Sequence, residues 1–253
     1  MGAKPDLSVG QGSCVACLAK SSCVLGPLGE DGLRGIGHFL QVEPKGQIFH
    51  QGMPILGWYI FCRGKAKLVR HTVRGKRLVL RFAKLGDLLN LAILGLHPFS
   101  AEAVDHCRVG FVERERVFPF LREHPELLRE ALRRFSFWEE RLLQRLEALA
   151  TLGMRERLIQ VLLELGEEHG IREGKGLRID LPLSQQDLAD LVGASRQTIC
   201  WELQKLEKKG LVQVEVRRII LTDQKDRTVQ GDECPLTLKR LIMYEFPRYL
   251  SKR

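Results

Sequence analysis

The chain has 253 residues, enough for one large domain or two modest ones, each with a real core. Lys and Arg number 40 against 31 Asp and Glu, a net charge of +9 that suits a polyanionic partner. No run approaches about 18 apolar residues and the N-terminus lacks an apolar signal core, so a cytoplasmic chain with no membrane span is expected.

Residues 1–26 form a leader carrying Cys14, Cys17 and Cys23 in a C-x2-C-x5-C array. That spacing lets one short loop aim three thiolates at one centre, so a fourth ligand must come from elsewhere. Cys107 and Cys62, both in predicted strands, are the candidate thiols. Four thiolates suit either structural zinc or an iron–sulfur cluster, and spacing does not choose between them. Redox-active thiols on an exposed tail, or a disulfide formed on oxidation, are the competing readings. For Cys62, with aromatic and apolar neighbours, a small buried core residue is a further alternative. Cys200 and Cys234 are not expected to be ligands. Seven cysteines, an odd number in so long a chain, do not describe a disulfide-stapled secreted scaffold.

Residues 27–124 hold short strand candidates: QIFHQ, WYIFCRG, KAKLVRH, KRLVLRFA and AEAVDHCRVGFVER. Corners at Lys45-Gly46, Arg63-Gly64, Arg74-Gly75 and Leu85-Gly86-Asp87 separate them, which predicts an antiparallel β-barrel or jelly roll. The period then changes. Residues 125–151 read as one long helix with Leu128, Leu132, Phe135, Leu142, Leu146 and Leu149 near one side and Trp138 beside them. A twin helix in a homodimer would bury that stripe, although part of it can pack on its own barrel.

Gly153 marks a hinge, a helix follows over MRERLIQVLLELGEEHG, and GIREGKG reads as a loop. Residues 152–230 are then predicted to be a winged helix-turn-helix. Ser184 caps the first helix with Asp187 three residues on, and Leu188, Ala189, Leu191 and Val192 form its apolar face. Gly193 makes the corner and Ser195 caps the second helix, whose Ile199, Leu203 and Leu206 face the core. Arg196, Gln197, Thr198, Cys200 and Trp201 are predicted to point outward from this second helix, which can enter a major groove. Residues 231–253 are a basic tail with no assigned role.

This order of parts, an α+β chain with a barrel containing Lys45-Gly46-Gln47-Ile48-Phe49 and Gly86-Asp87, resembles the fumarate and nitrate reductase regulator branch of the cyclic-AMP receptor protein superfamily. The likeness runs from about Cys14 to Asp223 and is strongest in LSQQDLADLVGASRQTICWELQKLEKKGLV. It implies a homodimer that binds double-stranded promoter DNA, with RNA polymerase as a further partner, and no enzymatic activity. It also implies an oxygen-labile [4Fe-4S] cluster on three leader cysteines and one barrel cysteine. Here Cys107 falls about three residues before the matching position, Gly110. An odd displacement turns a side chain to the other strand face, so a bulge, Cys62, a carboxylate, water, or zinc in place of the cluster all stay open.

The superfamily's cyclic-nucleotide pocket needs a phosphate-binding arginine where this chain has Phe99, so no cyclic nucleotide is expected. Haem sensing is a further alternative, with no feature singling out His50, His71, His97 or His106. On the recognition helix the resemblance assigns Ser195 and Thr198 to phosphates and Arg196 to a guanine edge or the backbone. Gln197 replaces a common glutamate and Trp201 a common arginine, which shifts base preference. Lys205, Lys208, Lys209, Arg217 and Arg218 supply salt-sensitive backbone attraction. Intact cofactor is expected to strengthen the dimer and set two recognition helices about 34 Å apart. A zinc-stabilised protein-interaction module and a small metalloenzyme are the rivals, the latter without paired carboxylates, a nucleophile elbow or a phosphate loop.

Overall fold

The computed structural model describes residues 23–26, 33, 36–90, 92, 94–174 and 176–222. Cys14, Cys17, Cys234 and the basic tail lie outside the described residues. The chain divides into two compact units, Met1–Gln144 and Arg145–Arg253, with the division inside a long helix.

The first unit holds seven strands: β1 (Gly37–Val42), β2 (Gln47–Phe49), β3 (Gly57–Arg63), β4 (Ala66–His71), β5 (Arg77–Phe82), β6 (Ser100–Ala103) and β7 (Cys107–Glu113). They form two antiparallel sheets, ordered β1-β7-β3 and β2-β6-β4-β5. Between the sheets lies a core that includes Phe49, Tyr59, Phe61, Leu68, Ala101, Cys107 and Val109. A second core covers the outer face of the three-stranded sheet, where Trp58, Ile60 and Val112 meet Val24, Leu25 and Leu33 from the leader side. The same core takes up Val117, Phe120 and Leu121 from α1 (Arg114–Glu123), and Leu127 and Ala131 from α2 (Pro125–Thr151).

Three elements differ from expectation. The long strand AEAVDHCRVGFVER is two strands and the start of a helix. The Asp105 carboxylate accepts the Lys65 backbone N–H at 2.5 Å and breaks the run at a turn. Strand β1 was not predicted, because GHFLQV carries no sharp polar alternation and is only partly buried. GIREGKG is not a loop. It is a hairpin of β8 (Gly170–Glu173) and β9 (Gly176–Ile179), whose second strand pairs with the wing.

The second unit is helical around this hairpin: α3 (Met154–His169), α4 (Gln185–Val192) and α5 (Arg196–Lys208), then β10 (Val212–Glu215) and β11 (Arg218–Thr222). Its sheet order is β10-β11-β9-β8. The capping box at Ser184 and Asp187 is formed in both directions, satisfying two N-terminal N–H groups of α4. Gly193 sits at φ 76°, ψ 37°, a left-handed conformation that glycine adopts without a Cβ penalty, and it ends α4 sharply. Leu188, Ile199, Leu203 and Leu206 are buried as the spacing predicted.

Candidate functional site

The recognition helix α5 begins at a built cap. Ser195 Oγ accepts the Thr198 N–H at 3.1 Å and lies 2.7 Å from Thr198 Oγ1. Burial of Ile199, Leu203 and Leu206 fixes the helix's rotation and leaves Ser195, Arg196 and Gln197 exposed at its N-terminal end. Trp201, one turn on from Gln197, is 60% exposed, so it is no core residue.

Two predicted contacts take other positions. Cys200 turns inward, its Sγ 2.7 Å from Gln185 Oε1, where it ties α5 to α4. Lys205 is committed within the unit. Its ammonium lies 3.1 Å from the Trp201 ring centroid and 2.9 Å from Glu202 Oε1. Glu202 is buried and also accepts from Arg155 Nε at 3.0 Å. Burial works to raise the Glu202 carboxyl, but the hydrogen bonds from Lys205 and Arg155 outweigh it and hold it below the usual carboxylate range. Lys205 therefore braces the indole, a role that spacing alone did not reveal. At the wing, Arg217 is exposed in the two-residue turn Val216-Arg217, at φ 59°, and Arg218, also exposed, opens β11.

Along α2 the sequence carries two seams. Leu127, Ala131, Arg134 and Trp138 turn towards the barrel. Leu128, Leu132, Phe135, Leu142, Leu146 and Leu149, each 42–62% exposed, recur at alternating spacings of four and three, with Glu139 filling the one polar place. This is the pattern of a helix-pairing seam. Trp138 belongs to the first seam. Its ring lies 6.0 Å from Phe99 and carries the Arg81 guanidinium at 4.4 Å.

The Gly86-Asp87 corner joins these parts. The Asp87 carboxylate accepts the Lys84 N–H at 2.9 Å, pairs with Arg81, and lies 3.5 Å from Arg134 of α2. Gly86 O accepts the N–H of Val24, the residue after Cys23, at 3.0 Å. A continuous set of bonds thus runs from the leader's third cysteine to the long helix, and only its acidic corner was visible in the sequence.

Of the barrel thiols, Cys107 lies inside the sandwich, where burial, with a smaller contribution from Asp105, pushes it up to about 11. Cys62 and Cys23 instead pack on the outer core. No group of three or more His, Cys, Asp or Glu poised for a metal occurs among the described residues, which omit Cys14 and Cys17. His97 is buried in the barrel, stacked on Phe49 at 4.1 Å, and its pKa is lowered by that burial. His50, His71 and His106 are exposed.

Comparison with known proteins agrees with this geometry. Residues 156–226 match the Crp-like helix-turn-helix domain and residues 39–124 the cyclic nucleotide-binding domain. The global nitrogen regulator of Nostoc sp. is 31% identical over 180 residues, covering 68% of this chain and 79% of that protein. The chain belongs to the CRP/FNR family. Its members are transcription regulators rather than enzymes, and the helix-turn-helix binds promoter DNA. The anaerobic regulatory protein of Bacillus subtilis is 23% identical over 213 residues, 81% of this chain and 90% of that one. The solved structure of FixK2 from Bradyrhizobium japonicum shares the fold, with a TM-score of 0.66 at 20% identity over 75% of this chain and 95% of that one.

Proposed function

We propose that this CRP/FNR-family regulator is a homodimer of the fumarate and nitrate reductase regulator type, whose promoter binding answers to oxygen, nitric oxide or redox state. The observation that carries this reading is the leader: C-x2-C-x5-C ends at Cys23, and Cys23 is seated against the barrel beside a corner bonded to α2. The donor set fits a thiolate-held iron–sulfur cluster, with Cys14, Cys17, Cys23 and one barrel thiol, Cys107 or Cys62, as its holders. A bound cluster would supply oxygen-labile redox chemistry at the leader.

The chain's own residues do the rest. The Val24–Gly86 hydrogen bond holds the leader to the corner, and the Asp87–Arg134 contact passes the leader's position to α2. The exposed seam of α2 then pairs with a second copy, so that two α5 helices meet successive major grooves about one turn apart. At the operator, Arg196 and Gln197 read base edges, Gln197 favouring adenine, while Trp201 packs on sugar or thymine methyl groups. Ser195, Thr198, Arg217 and Arg218 hold phosphates, and RNA polymerase is the partner once the promoter is bound.

One feature weighs against a cyclic nucleotide as the signal: Phe99 stands where an anionic phosphate needs a cation. Anaerobic purification followed by visible absorbance, iron, sulfide and zinc analysis tests the proposal. A brown protein with iron and sulfide is expected. A colourless protein with stoichiometric zinc would remove the redox reading and leave the regulator.

A further inference from the structure

We propose that Cys62, rather than Cys107, completes the thiolate set begun by the leader, with Arg108 as the counter-charge beside it. This rests on the reading that the leader holds a metal group. Strand geometry carries the choice. Successive side chains on a strand point to opposite faces. On β7, Cys107 and Val109 belong to the inner core, whereas Val112 belongs to the outer one. Gly110, of the same parity as Val112, faces Leu33 of the leader side so closely that a Cβ there would collide with the leucine. On β3, Tyr59 and Phe61 point inward, and Trp58, Ile60 and Cys62 pack on the outer core with Cys23.

The leader's last cysteine is also tied to this edge of β3. Val24 N–H donates to Gly86 O at 3.0 Å, and Gly86 N–H donates to Phe61 O at 2.7 Å. Cys62 is the next residue, and the register with β7 shifts there, between Phe61 and Arg63. Cys107 would have to reach through its own sheet. Its ladder to Val42 on β1 is regular, with no bulge to turn it. Both thiols donate to carbonyls, Cys107 to Lys65 O across the sandwich at 3.2 Å and Cys62 to Ile60 O of its own strand at 3.3 Å.

Arg108 supplies the independent observation. It stands on the central strand of the three-stranded sheet, with the parity of Gly110 and Val112, paired with Gln41 on β1 and with Arg63, the residue after Cys62, on β3. Its guanidinium lies 3.7 Å from the Phe39 ring centroid, and its Nε and Nη2 are buried with no hydrogen-bond partner among the described residues. Arg108 is half-buried, and its two buried N–H donors without an acceptor are unfavourable. A metal or cluster on four thiolates carries net negative charge and would satisfy it.

The test is anaerobic reconstitution of the full-length chain with iron and sulfide, and separately with zinc, in wild type, Cys62→Ser, Cys107→Ser, Arg108→Gln and Arg108→Lys. Metal and sulfide per chain, the visible spectrum and resistance to a chelator are read. Wild type and Cys107→Ser should load alike, and Cys62→Ser should lose stable loading. Arg108→Gln should weaken retention about 10- to 100-fold, with Arg108→Lys restoring part of it. Native alkylation followed by mass spectrometry covers the case of a misfolded variant, because Cys62 of the wild type should be protected on loading and exposed by chelator. A loaded wild type whose Cys62 stays reactive, or a Cys107→Ser that alone loses metal, overturns the assignment. A wild type that takes up neither iron nor zinc overturns the underlying sensor reading, and the assignment with it.

Discussion

The recognition unit and the outer face of the β1-β7-β3 sheet obey different rules, and so were unequally legible. In α4 and α5 most placements follow from local spacing: a cap, a glycine corner and a 3.6-residue period fix which face of each helix is buried. On the β1-β7-β3 sheet a side chain's meaning depends on parity, and one residue of displacement moves a thiol from the outer face to the core. Local chemistry dominates the first region and register the second.

The largest expected effect separates the two units by stability. Leu203→Ala opens a cavity beneath the recognition helix and should cost about 2–5 kcal/mol. In denaturant, the transition of the Arg145–Arg253 unit should move while the barrel's stays. A single transition moving as a whole would show that the units are not independent.

At the interface with DNA, Arg196→Ala should lose about 1–3 kcal/mol of binding if it reads a base edge, a loss confined to one operator position. A uniform loss across sequences, with a shallower salt dependence, would assign Arg196 to phosphates instead. Glu139→Leu should strengthen association by completing the exposed seam of α2, read as a lower dimer dissociation constant in sedimentation.

Linkage gives a smaller effect. Glu202 has a depressed folded-state pKa, so its stabilisation is full above the unfolded value of about 4.5 and is lost as pH falls through the lower folded one. Acid unfolding of the second unit should therefore be gentler in Glu202→Gln than in wild type, from a lower starting stability. Smallest is the wing. Arg217→Gly relieves a left-handed residue costing about 1–2 kcal/mol but removes a proposed phosphate contact, so thermal stability should rise slightly as DNA affinity falls.

The helix-turn-helix, the long helix and most barrel strands were readable because hydrophobic period and turn residues are local signals. The β8-β9 hairpin was not, since Gly170 and Gly176 bracket a segment whose strand character comes from pairing with β11. Trp201 and Gln197 were placed on the exposed face from spacing. The bracing of Trp201 by Lys205 and the inward turn of Cys200 towards Gln185 depended on rotamers that no spacing encodes. Likewise, Asp87 stood out as a corner residue, but its arginine partners lie 6 and 47 positions away and meet it only through the fold.

The most direct measurement follows promoter DNA retardation by anaerobically purified protein through graded exposure to air, with iron determined on the same samples. DNA affinity and dimer fraction should fall together as iron is lost. DNA affinity that stays constant while iron disappears would contradict the redox reading.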